Sequence, residues 1–137
     1  MILLTTLKNE LFMENEKYIP GVCNIGPAEI KKRQQAGWTG LIATILLWAA
    51  FFWFDAPAVW RLTLFLPAMM SATGLLQAYM HFCAYFGFAA LFNFGEVGKN
   101  DSVSQAEFRA KDRRKAWQII IYSFVIGLIV ALAGYLL

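Results

Sequence analysis

Residues 115–137 read KAWQIIIYSFVIGLIVALAGYLL, and after Lys115 no charged side chain interrupts them. A helix needs about 20 such residues to cross the ~30 Å hydrocarbon core of a bilayer. Immediately upstream lie Arg109, Lys111, Arg113, Arg114 and Lys115. The same arrangement recurs earlier in the chain. Lys31, Lys32 and Arg33 precede a block from Trp38 to Phe54 whose only polar side chains are Thr39 and Thr44. Basic residues flanking apolar spans mark the cytoplasmic side, so an even number of crossings must separate the two clusters.

That parity decides how to read the tract Val59–Phe94, which is too long for one simple crossing. With one span already assigned to Trp38–Phe54, only one more fits. It is placed at about Trp60–Met80, kinked near Pro67, with His81–Phe94 continuing along the cytoplasmic surface. Asp55-Ala56-Pro57-Ala58 reads as the turn between the first two spans. The expected fold is all-α: an integral membrane protein with three transmembrane helices (about 38–55, 59–80 and 115–137) and a cytoplasmic interfacial segment. Residues 1–36 form an N-terminal cytoplasmic or interfacial segment, and 37–137 the three-span membrane domain.

Composition agrees. Of 137 residues, 59% are hydrophobic and 15% charged, against about 25% charged in an ordinary soluble domain. A soluble domain this small buries only about two-thirds of its surface and could not hide the excess. The net charge of +3 sits in the two flanking clusters, which favours contact with lipid phosphates and argues against nucleic acid as a partner. Two cysteines, Cys23 and Cys83, are too few for a disulfide scaffold and are expected to be free thiols facing a reducing compartment. The apolar run Met1–Leu4 is too short for a signal-peptide core. Met13 is an alternative start to Met1, and Met1–Tyr18 is expected to be loosely ordered or to lie along the surface.

Local signals mark the helix ends. Gly26 can cap a helix that Pro27 opens and Glu29 supports from its first turn. Gly95–Ser104 reads as a loop. Ser104-Gln105-Ala106-Glu107 has the spacing of a capping box, and Glu107 and Lys111 are spaced to pair one turn apart.

Chemistry has few places to reside. No charged residue falls in mid-span, so the usual intramembrane proton or sodium relay is missing. Arg61 stands at the outer edge, where it can snorkel to headgroups. Thr73, Gln77 and His81 recur every four residues and would share one helix face. Beside them Gly74 and Ala78 permit close helix approach. The stripe suits interhelical hydrogen bonds, or a cofactor or ligand site opening to the cytoplasm. His81 could supply a haem ligand. Cys23, His81 and Cys83 would face the same side and could form a Cys2His metal site, although on a helix His81 and Cys83 point about 200° apart. A cysteine near the interface also suits palmitoylation. Phe92–Gly98 reads as an anchoring turn, since no Lys-Ser/Thr pair follows to make a phosphate loop.

No catalytic constellation is present in the spacing, and no cofactor is specified by it. The leading expectation is a non-catalytic subunit or scaffold of a membrane complex. Its partners would be the lipid bilayer and other membrane subunits or further copies of itself. The alternatives are a small oligomeric pore or carrier lined by Thr73, Gln77 and His81, and a metal, haem or redox-thiol protein using His81, Cys83 and Cys23. The expected location is a bacterial inner membrane with the N-terminus cytoplasmic.

Overall fold

Three stretches, Pro27–Trp53, Ala58–Met80 and Ala106–Leu136, are long and apolar enough to cross a membrane. They belong to a computed structural model that describes residues 18–137. The choice between Met1 and Met13, and the expectation for Met1–Tyr18 apart from Tyr18 itself, fall outside the described residues. In chain order the elements are α1 (Pro27–Trp53), a 3-10 helix (Ala58–Leu64), α2 (Phe65–Met80), α3 (Ala84–Ala89), β1 (Leu91–Phe92), β2 (Asp101–Ser102) and α4 (Ala106–Leu136). The strands pair antiparallel, Leu91 opposite Ser102 and Phe92 opposite Asp101. The fold is therefore mostly helical, but a two-residue ladder closes the 95–104 segment that the sequence reads as plain loop.

The helix ends follow from their residues, with two exceptions. Gly26 is the extended N-cap of α1, Pro27 opens it and Glu29 lies in its first turn, as the sequence implies. At the other end Asp55 takes a left-handed conformation (φ 50°) and Pro57 starts the next element. The second span is not one helix kinked at Pro67. It begins as a 3-10 helix and becomes α-helical at Phe65, which puts Pro67 in the first turn of α2, where its missing N–H leaves no hydrogen bond unmade. The capping box at α4 does not form. Gln105 is the N-cap and makes no side-chain cap bond, so the Ser104–Glu107 spacing is out of register by one residue. Glu107 instead lies 3.8 Å from Lys111 as an exposed pair.

The α2 helix is central. Both α1 and α4 pack along it, whereas α1 and α4 scarcely touch each other. Glycines let the first pair close up. A Cβ on Gly74 would stand 2.5 Å from the Gly37 nitrogen and 2.7 Å from the Arg33 carbonyl oxygen. A Cβ on Gly40 would stand 2.7 Å from the Ser71 nitrogen. Such approach multiplies dispersion contacts between backbones, the attraction available to helices when no water is expelled between them. At the end where α1 and α4 begin, the segments 18–25 and 81–103 pack into a cap. Its apolar centres are Phe82 with Ala84, Ala116 and Ile119, and Ile25 with Cys83 and Phe86.

Gly74→Val should lower bundle stability by about 1–3 kcal/mol, read as a melting shift in detergent micelles. Gly95→Ala, where the nearest neighbour is 3.8 Å away, should leave the melting temperature unchanged.

Candidate functional site

The cap is held by polar side chains buried as deeply as its apolar ones. Asn24, wholly buried, donates from Nδ2 to the Cys83 carbonyl (3.1 Å) and accepts the Cys83 N–H at Oδ1 (2.7 Å). Its backbone N–H reaches the His81 carbonyl, and its carbonyl accepts from the Asn93 N–H. Asn93 continues the chain of bonds, donating to Glu29 Oε1 (3.0 Å) and the Glu96 carbonyl (2.7 Å). Glu29, 1% exposed, pairs with Arg33 one turn along α1. Arg33 also donates from Nη2 to Cys83 Sγ at 3.1 Å and stands 5.4 Å from the Phe86 ring centroid. A single buried ion pair thus ties α1 to the 81–103 segment, and Asn24 ties the 18–25 segment to the same place.

A second anchor joins the 18–25 turn to α4. Asp112 is wholly buried although it sits in a run of basic residues. It accepts the Gly21 N–H at 2.7 Å and the Tyr18 hydroxyl. Burial, reinforced by the Asp112 hydrogen bond and its negative charge, pushes the Tyr18 phenol well above its ordinary value of 10.0. Burial likewise raises the Cys23 thiol, with the bond to the Ile25 carbonyl acting in the opposite direction.

The residues singled out by the sequence are placed as follows. Gln77 is buried and uses Oε1 to accept the Ala84 N–H at 2.8 Å, closing the α2–α3 junction. Thr73 donates to the carbonyl of Met69 on its own helix. His81 leaves the stripe, because α2 stops at Met80 and His81 takes a left-handed conformation (φ 55°) with an exposed side chain. The three do not form one polar face. Nor are Cys23, His81 and Cys83 brought together: Cys83 is buried against Arg33, and Cys23 Sγ faces the Ile25 carbonyl. Among the described residues no group of three or more His, Cys, Asp and Glu is placed to hold a metal ion. Arg61 is only half-exposed, in a pocket of about 250 Å3 with Trp48, Phe52 and Leu137.

Sequence reasoning missed Asn24, Glu29, Arg33, Asn93 and Asp112 as partners. The one available signal was Asp112, a lone acid inside a basic helical run. The Asn pair gave none for its long-range bonds, since Cys83 lies 59 positions from Asn24 and Glu29 lies 64 from Asn93.

Because α1 and α4 scarcely touch, a furrow lies between them with α2 as its floor. Two adjoining apolar pockets, about 390 and 260 Å3, share Thr44 and Val130. Ala68, Ser71 and Ala72 line the floor of the larger one, with Leu41 on one wall and Ile126 on the other. Toward the opposite end the furrow passes Trp48, Leu64, Ala133 and Gly134. The cap therefore spends its polar groups on bonding within the chain, and the furrow offers an apolar seat. In comparisons with known proteins, the chain matches no family model, no curated protein and no solved structure.

Two measurements probe the cap. Arg33→Met leaves the Glu29 carboxylate buried without its cation and should cost about 3–5 kcal/mol. Adding Glu29→Gln to it should recover part of that loss in thermal melts. A phenol whose folded-state pKa is raised contributes stability fully present below its unfolded value and lost as pH climbs toward the folded one. Stability should therefore decline from about pH 10 upward, and Tyr18→Phe should flatten that decline.

Proposed function

We propose that the chain is an integral membrane protein of a bacterial inner membrane, with its polar cap in the cytoplasm, and that it is a non-catalytic subunit seating a partner's transmembrane segment in the α1–α4 furrow. Three helices of spanning length and composition support the membrane reading. Their outward faces are lined with large apolar side chains, from Ile42 and Phe52 on α1 to Ile129 and Leu136 on α4. Lys31 and Lys32 near the start of α1, and the basic run near the start of α4, flank the same end of the bundle, which favours that end as cytoplasmic.

The furrow is the observation that carries the subunit reading. Helices associate in lipid through small residues that admit a neighbouring backbone, and Ala68, Ser71 and Ala72 lie between two apolar walls with no helix among the described residues across them. The bonding of Thr73 and Gln77 within their own chain favours a packing role over a pore lined by those residues.

A photo-crosslinking residue at Leu76 or Ile126, inside the furrow, should capture one partner polypeptide in native membranes. The same probe at Phe52, 75% exposed, should capture lipid. Adding Ala72→Leu to fill the furrow should abolish the protein adduct while leaving membrane insertion intact. Lipid adducts alone at both furrow positions would contradict the subunit reading.

A further inference from the structure

The second to fourth turns of α4 carry a feature that neither the cap nor the furrow uses. Pro20, Gly21, Lys111, Arg114, Lys115 and Gln118 enclose a pocket of about 250 Å3. Lys111, Arg114, Lys115 and Gln118 stand at i, i+3, i+4 and i+7, a single stripe of the helix. The opposite wall is the Pro20–Gly21 turn, and it is fixed in place. Asp112 holds it through the Gly21 N–H and the Tyr18 hydroxyl. Gly21 (φ 71°) lies so close to α4 that a Cβ there would stand 3.2 Å from Lys111 Cβ. The acid of this helical run is thereby turned inward, and among the described residues the pocket is lined by three cations and no carboxylate. Glu107 approaches Lys111 only as an exposed pair at 3.8 Å, an interaction of little strength.

The stripe continues past the pocket. Tyr122, Val125 and Ile129 extend it at i+11, i+14 and i+18 from Lys111, and they are 50%, 45% and 61% exposed. A ligand suited to this surface has an anionic head at the cap end and a long apolar tail running along α4. We infer that the pocket binds the phosphate headgroup of an anionic membrane lipid, with an acyl chain laid along Tyr122, Val125 and Ile129. The inference rests on the membrane reading above but not on the partner-subunit reading. It goes beyond general attraction of basic flanks to a charged surface, because it assigns the headgroup to one side of α4. Arg109 and Arg113, equally cationic and exposed, fall on the opposite side of the helix from the stripe.

The experiment uses the full chain in nanodiscs of phosphatidylcholine containing a minor fraction of phosphatidylglycerol, followed by native mass spectrometry after transfer to detergent. Resistance to carbonate extraction is checked first, so that failure of the membrane reading is seen separately. The wild-type protein should retain one phosphatidylglycerol in preference to phosphatidylcholine. Each of Lys111→Gln, Arg114→Gln and Lys115→Gln should weaken retention about fivefold, as expected for about 1 kcal/mol per basic residue near a membrane surface. Arg109→Gln/Arg113→Gln should leave it unchanged, and unchanged melting temperatures confirm that each variant is folded. Equal loss in the Arg109/Arg113 control would reduce the effect to net charge and overturn the site. Absence of a retained lipid in inserted wild-type protein would overturn it as well. Displacement of the lipid by inorganic phosphate alone would assign the pocket to a soluble ligand and overturn the lipid assignment.

Discussion

Most of the large apolar side chains on the three long helices face outward. In each apolar window at most 28% of the residues are buried within the molecule, and Trp53, Phe52, Leu66 and Ile129 lie among those left exposed. In water that surface would carry a free-energy cost on the order of 25 cal/mol per Å2, far beyond what the small cap core returns. In a bilayer the cost disappears, and the balance of forces changes with it. Helices no longer gain by hiding from solvent, so they need close backbone approach and a few well-made polar contacts to stay together. The Gly37–Gly74 and Gly40–Ser71 approaches provide the first, and the cap provides the second.

The cap works because its polar groups are satisfied by one another. A buried carboxylate such as Glu29 is tolerated when a cation and further donors complete its shell. Arg33 and Asn93 do so here. The consequence reaches across the molecule. Glu29 and Arg33 sit on α1, Asn93 in the segment after β1, and Cys83 at the start of α3, so one network fixes the register of elements far apart in sequence. Asp112 extends the same logic to α4 through Gly21 and Tyr18. The cap bonds α1 and α4 each to the loop segments, while along α2 the two helices stay apart and leave the furrow between them.

Much of this was legible in the residues. The three long apolar helices followed from the apolar blocks, the start of α1 from Gly26, Pro27 and Glu29, and the first turn from Asp55 and Pro57. What failed to read through depended on partners. Arg33 looked like one more flanking cation, because nothing in its neighbourhood reveals a pocket built from Cys83 and Phe86, 50 or more positions away. The Thr73–Gln77–His81 stripe assumed a continuous helix, and the tight turn at His81, with the Phe82 N–H returning to the Gln77 carbonyl, broke it. The capping box failed by a single residue of register. The furrow was invisible because periodicity shows which face of a helix is apolar, not which neighbour covers it.

Accessibility of single cysteines in sealed inverted and right-side-out vesicles tests the arrangement most directly. In a Cys23→Ser/Cys83→Ala background, Asp55→Cys and Lys99→Cys report on the turn after α1 and on the loop between the strands, both exposed. The account has the residue at 99 modified by an impermeant maleimide only in inverted vesicles and the residue at 55 only in right-side-out ones. Modification of both positions from the same side would contradict it.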